Sequence, residues 1–220
     1  MSELLSRIAM CIERGKEKKD SPYPPDLKGQ EGVFELVTLA LEEGLTPDSI
    51  LKEGMMKGMN VIGERFSVGK AFIPELLISA KAMYAGMDVL KPYFDSGEVQ
   101  RKGTIIIGTV AGDLHDIGKN IVKMVLEGDG WNVIDLGVDT TTARFQQALS
   151  ENPGSMIGMS ALLTTTMANM EESVKTIKNA SPDTKIFIGG APVTEEYKQK
   201  IGADGYFADP HSFSKHLAAL

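Results

Sequence analysis

The chain has three histidines in 220 residues. One of them, His115, lies within "TVAGDLHDIGKNIV" (Thr109 to Val122), between two aspartates and with a glycine on each side. An apolar run precedes it and a helical pattern follows, so it falls where a β-strand hands over to a helix. A buried structural histidine is the ordinary role for a lone imidazole. Other chemistries can be weighed against that. A phosphate cradle needs unopposed backbone N–H groups, and Asp113 and Asp116 repel an anion. A phospho-acceptor receiver needs an aspartate ending its third strand, where this chain has Ser160. A zinc site needs three or four clustered ligands; His211 and His216 lie near the C-terminus, and no cysteine joins them. Beside the structural role, a single-imidazole ligand remains. Such a histidine normally donates its other N–H to a carboxylate, which fixes the tautomer. Asp113, two residues earlier, is available for that.

The elements that must position this loop change character near residue 100. Upstream, the apolar spacing is helical. In "LTPDSILKEGMMKGMNVIGERF", Thr46 caps and Pro47 suits the first helical position. "IPELLISAKAMYAGMDVL" opens on Pro74, and "GVFELVTLALEEG" ends at Gly44. "KKDSPYPPDLKGQEG" reads as an irregular loop after a first helix. This half, residues 1–95, is predicted to be a bundle of about four helices, with 96–103 as a polar linker. From 104 to 220, the apolar runs "TIIIGTV", "NVIDLGV", "SMIGMSAL", "KIFIGGAPV" and a weaker "GYFAD" alternate with helical patterns. That alternation predicts an α/β, flavodoxin-like (Rossmann-like) doubly wound domain with a five-stranded parallel sheet. Its ligand belongs at the carboxyl ends of the strands beside the switch point, where His115 falls. The other strand ends are small: Gly108-Thr109, Ser160-Ala161 and Gly189-Gly190-Ala191. They predict either a slot into the domain or close helix-on-sheet packing. The hydroxyl row Ser160, Thr164, Thr165 and Thr166 favours the slot.

Composition narrows the partners. The net charge is −7, from 23 basic and 30 acidic residues, so neither nucleic acid nor an anionic membrane is expected to bind. No apolar run reaches the roughly 18 residues of a membrane span, and the N-terminus lacks the continuous apolar stretch of a signal peptide. A single cysteine, Cys11, excludes an intrachain disulfide framework. A cytoplasmic location is expected.

Asp113-x-His115-x-x-Gly118, followed at the family's spacing by Ser160-x-Leu162 and Gly189-Gly190, resembles the cobalamin-binding signature of methyltransferases and carbon-skeleton mutases. Upstream, "GMNVIGERFSVGKAFIPELLISAKAM" resembles the helical cap over the corrin in cobalamin-dependent methionine synthase and small corrinoid proteins. The family pattern has no counterpart for "RGKEKKDSPYPPDLKGQ", which reads as an insertion between the first two cap helices.

Carried over residue by residue, the resemblance implies that His115 is the lower axial ligand to the cobalt of cobalamin, displacing the cofactor's own dimethylbenzimidazole. Asp113 holds His115, and Thr166 hydrogen-bonds Asp113, making a proton relay that couples protonation to the cobalt's redox and methylation state. Leu114, Asp116, Ile117, Gly118 and Leu162 complete the cofactor-binding motif. Ser160 and Thr164 meet the displaced nucleotide tail, and Gly189, Gly190 and Ala208 line its slot. In the cap, Phe66, Ile73 and Leu76 shield the methyl group. Met55, Met59 and Met83 also lie in the cap, but their helical spacing reads as ordinary core packing. The whole resembles a free-standing corrinoid protein of a three-component methyltransferase system, a methyl carrier not catalytically complete alone. Its implied partners are a methyl-donor-specific methyltransferase (amine, alcohol, betaine or aryl methyl ether), an acceptor methyltransferase delivering to tetrahydrofolate or a thiol, and a reductive activase. An adenosylcobalamin mutase subunit and a cobalamin sensor or store are the alternatives.

Overall fold

The computed structural model describes residues 3–220. The chain divides into two compact units. One holds the residues up to Arg101 together with Gly128–Gly130, the other Lys102–Glu127 and Trp131–Leu220.

The first unit is helical. Its main elements are α1 (Glu3–Glu13), α2 (Val33–Glu42), α3 (Met56–Ser67) and α4 (Ile73–Asp95). Thr46 accepts a hydrogen bond from the Ser49 N–H at 3.2 Å, and Pro47 follows as the first helical residue. That start does not run straight into α3. Between them Ile50–Met55 is π-helical, a widening that apolar spacing alone does not reveal. α1 packs against this stretch and against α3. The approach is close enough that a Cβ on Gly58 would lie 2.4 Å from the Ala9 carbonyl oxygen. Glu carboxylates receive the first backbone donors of α2 and α4: Glu35 from Gly32 N at 2.9 Å and Glu75 from Phe72 N at 2.8 Å. Met55, Met59 and Met83 are all buried, as packing predicts.

The Pro-rich insertion is ordered by its own contacts. The fully buried Lys16 sends its Nζ to the Ser21 carbonyl at 2.8 Å. Arg14 pairs with both carboxylate oxygens of Asp26, each at 2.8 Å. The insertion therefore holds one short 3-10 turn, Pro25–Leu27, in an otherwise irregular loop.

The second unit is a five-stranded parallel sheet of β1 (Thr104–Thr109), β2 (Asn132–Asp135), β3 (Met156–Ser160), β4 (Ile186–Gly189) and β5 (Gly205–Tyr206). Its order is β2-β1-β3-β4-β5, the doubly wound flavodoxin-like arrangement expected. Helices α5 (Ile117–Gly128), α6 (Thr142–Glu151), α7 (Met167–Ala180), α8 (Glu195–Ile201) and α9 (Pro210–Leu217) connect and follow the strands. Strand side chains alternate between two cores. Ile106, Ile157, Met159, Ile186 and Ile188 pack with Phe145, Met170, Val174 and Ile177 of α6 and α7. Ile105, Ile107 and Phe187 pack on the opposite face with Leu126 of α5 and with Phe213 and Leu217 of α9. Both faces are covered, which is why the strands read as continuous apolar runs. Among the described residues no helix is long and apolar enough to cross a membrane.

The strand order reverses between β1 and β3. In register there, Thr109 pairs with Ser160, and Ser160 with Gly189. The loops leaving these three ends carry the candidate site.

Candidate functional site

The loop after β1 turns at Val110-Ala-Gly-Asp113. The Asp113 N–H bonds the Val110 carbonyl at 3.1 Å, and Gly112 sits at φ 80. A type II turn requires positive φ at that position, which glycine adopts without strain. The turn delivers the Asp113 side chain into the interior, where it is fully buried.

Five donors converge on that one carboxylate. Oδ1 accepts from His115 N at 3.1 Å and lies 2.8 Å from His115 Nδ1. Oδ2 accepts from Leu162 N at 2.8 Å, Leu163 N at 3.2 Å and the Thr166 hydroxyl at 2.8 Å. Burial alone pushes a carboxyl upward. Here the bonds from Leu162 N, His115 and Thr166 outweigh it and hold Asp113 well below the usual carboxylate range. Asp113 is therefore an anion with acceptor oxygens only, and the hydrogen between it and His115 belongs to Nδ1. With that hydrogen on Nδ1, Nε2 is the nitrogen free to offer a lone pair. The His115 side chain is 50% exposed, and its carbonyl accepts from the Thr109 hydroxyl at 2.9 Å. Leu114 and Ile117 on either side are 71% and 69% exposed. One basic nitrogen in an apolar, solvent-facing frame can ligate a metal centre carried by a large flat apolar group.

The comparisons with known proteins identify that group. Residues 103–212 match the family model of the B12 binding domain, and residues 30–91 match a second model also described as a B12 binding domain. The chain belongs to the B12-binding family of corrinoid proteins. It is 41% identical to trimethylamine corrinoid protein 1 of Methanosarcina mazei over 180 residues, 80% of this chain and 83% of that one. It is 41% identical to dimethylamine corrinoid protein 1 of Methanosarcina acetivorans over 165 residues, 74% of this chain and 78% of that one. The structure of the methanol:cobalamin methyltransferase complex MtaBC of Methanosarcina barkeri superposes with a TM-score of 0.81 at 30% identity, covering 99% of this chain and 79% of that one. A cobalamin-binding protein of Desulfitobacterium hafniense superposes with a TM-score of 0.76 at 30% identity, covering 98% and 97%. This chain uses cobalamin as its cofactor.

The residues present fit that cofactor. The donor set offers one lone-pair nitrogen, Nε2 of His115, fixed by the anion behind it. A Cβ on Gly118 would meet nothing within 4 Å, so the start of α5 stays open beside the ligand loop. Leu162 and Leu163, whose backbone N–H groups hold Asp113, expose their own side chains at 43% and 41%.

Other expected site residues are placed less tightly. Thr164 and Ala208 are exposed, while Ser160 and Gly189 are half-buried at the strand ends. The glycines at these ends are required by the protein itself. A Cβ on Gly108 would lie 2.9 Å from Phe145, and one on Gly189 would lie 3.1 Å from the Phe207 carbonyl oxygen. A Cβ on Gly190, at φ 124, would lie 1.8 Å from the Ala161 carbonyl oxygen. Close packing therefore accounts for the missing side chains at Gly108 and Gly190. Asp116 is exposed, and its Oδ2 accepts from the Asn120 side chain at 3.0 Å, fastening the first turn of α5. In the helical unit, Ile73 is 41% exposed and Leu76 only 2%. Phe66 is half-buried, whereas Phe72 and Val68 are more exposed, at 67% and 66%.

Sequence reasoning missed three residues around the ligand loop. Leu163 adds the second backbone donor to Asp113 Oδ2. Lys119, 4% exposed, sets its ammonium 2.7 Å from Asp135 at the end of β2, tying α5 to the sheet. Asp139, in the loop after β2, reaches back to the turn. No spacing in the sequence reveals these three partnerships, because they depend on which strand ends become neighbours.

Proposed function

We propose that His115 is the protein ligand to cobalt, through Nε2, and that this chain carries methyl groups from a methylamine-specific methyltransferase to an acceptor methyltransferase. When bound, cobalamin supplies a cobalt centre that takes up and releases a methyl group. Everything else falls to the residues of this chain. Asp113 holds the imidazole in one tautomer and one orientation. Leu162 N, Leu163 N and Thr166 hold Asp113 anionic and immobile. The Thr166 hydroxyl, which also lies 2.9 Å from the Leu163 carbonyl, donates to Asp113 and so supports its charge when the imidazole charge changes. Ser160 and Thr164 are proposed to meet the nucleotide tail, and Gly189, Gly190 and Ala208 to line its path.

The observation that carries this reading is the pairing of His115 Nδ1 with the buried Asp113 carboxylate at 2.8 Å. A satisfied structural histidine has no need to stay half-exposed with its second nitrogen unengaged in an apolar frame. The choice of an amine donor rests on the relatives. Trimethylamine and dimethylamine corrinoid proteins of Methanosarcina reach 38–41% identity. A reductive activase and a cytoplasmic setting complete the proposal.

The test is a methylation assay of the cobalamin-loaded chain, followed by its visible spectrum. Purified trimethylamine, dimethylamine and methanol methyltransferases are each supplied with their substrate. Methylation with an amine enzyme and not with the methanol enzyme is expected. The reverse pattern overturns the choice of donor.

A further inference from the structure

We infer that Asp139 is a positioning residue that sets the turn carrying Asp113 and His115. Among the described residues, Asp139 is the only residue other than glycine with positive φ, at 52°. L-residues rarely adopt that conformation, although Asp and Asn tolerate it best. Held that way, it grips the ligand loop twice. Its Oδ1 accepts from Gly112 N at 2.7 Å, across 27 positions of sequence. Its own N–H donates to the Asp113 carbonyl at 3.0 Å. The two bonds seize consecutive residues of the turn, one on each side of the peptide that orients the Asp113 side chain. From the other side, Asn169 Nδ2 donates to the Ala111 carbonyl at 2.7 Å. The turn is thus braced from the loop after β2 and from α7.

The backbone of the Asp139 loop is fixed independently of this carboxylate. Thr109 N bonds the Gly137 carbonyl at 3.0 Å, and Thr140 N bonds the Thr109 carbonyl at 2.8 Å. A left-handed residue between these two anchors aims its side chain at Gly112. The strain at Asp139 is thereby tied to the loop that presents His115. The effect on the cofactor rests on His115 being the ligand; the brace itself does not.

The test uses the full chain and two variants. Asp139→Gly adopts the same backbone without strain but lacks the acceptor. Asp139→Asn keeps both the acceptor oxygen and the tolerance for positive φ. Amide hydrogen exchange is measured without cofactor on peptides spanning Val110 to Asp116. Asp139→Gly is expected to exchange there about fivefold to tenfold faster, the loss of one charge-assisted hydrogen bond at an exposed edge. Asp139→Asn should stay within about twofold of the parent, and β3 and β4 peptides should be unchanged in both. In the cobalamin-loaded Co(II) form, the histidine nitrogen coupling should broaden or fall in Asp139→Gly and return in Asp139→Asn. Parent-like exchange in Asp139→Gly, or equally fast exchange in both variants, overturns the proposal. Faster exchange confined to this turn, in a parent whose Co(II) spectrum lacks histidine coupling, upholds the brace and refutes the ligand assignment instead.

Discussion

The hydroxyl of Thr166 meets the carboxylate of Asp113 at 2.8 Å, 53 positions away in sequence and buried at both ends. This contact joins the loop after β3 to the loop after β1, across the point where the sheet reverses its strand order. It also explains why Thr166, at the start of α7, does not cap its own helix. The hydroxyl is spent on the neighbouring loop, where it helps keep the group behind His115 charged.

Replacing Asp113 with Asn should weaken the site and the fold together. An amide presents one acceptor where the carboxylate presents two. Its NH2 must then face either the His115 ring or the N–H groups of Leu162 and Leu163. One buried donor left unmatched costs about 1–3 kcal/mol, measurable by denaturant unfolding. Loss of a partner behind a metal ligand typically costs about 10–100-fold in affinity or activity, and the Co(II)/Co(I) midpoint should shift in spectroelectrochemical titration. Thr166→Ala should move the same quantities in the same direction by less. The Asp113 carboxyl titrates lower in the folded protein than in the unfolded chain. Its stabilisation is therefore complete above the unfolded value of about 4 and is lost as pH falls toward the depressed folded value. The stability gap between parent and Asp113→Asn should be widest near neutral pH and close in acid.

Gly190→Ala should be among the most damaging changes in the sheet domain. The added methyl would sit 1.8 Å from the Ala161 carbonyl oxygen at a φ of 124. The loop after β3, which supplies Leu162 N, Leu163 N and Thr166 to Asp113, would have to shift. A loss of at least about 2 kcal/mol in unfolding free energy is expected, together with weaker cobalamin binding.

The central imidazole was legible because its nearest partner is local. Asp113 lies two residues from His115 and a helical pattern begins within two more, whereas Thr166, at the start of α7, was expected only from the family resemblance. The parallel sheet was legible for a similar reason: strands covered on both faces, such as Thr104–Thr109 with all but one residue buried, cannot hide their apolar runs. Backbone donors carry no such mark. Nothing in the letters of Leu162 and Leu163 says that their N–H groups point at a carboxylate. Asp139 looks like any loop aspartate until β2 is laid beside β1. The strand-end glycines were open to two readings because an absent side chain does not reveal what occupies its place. At Gly108 and Gly190 it is the protein.

A fragment from Lys102 to Leu220 should fold and bind cobalamin, because the sheet, both of its cores and the His115 loop lie within it. The helical residues Phe66 and Ile73 are expected to shield the methyl group, and the exposed Phe72 joins them as a candidate. Methylcobalamin bound to the fragment should then photolyse faster than in the full chain. Equal rates would remove the shielding role from the helical unit.

Ligation of cobalt by His115 is tested most directly by electron paramagnetic resonance of the Co(II) form, loaded with cobalamin whose dimethylbenzimidazole is labelled with 15N. Histidine ligation requires a 14N splitting that does not respond to the label and that disappears in His115→Ala. A 15N splitting in the parent protein would mean that the cofactor keeps its own base and that His115 does not bind the metal.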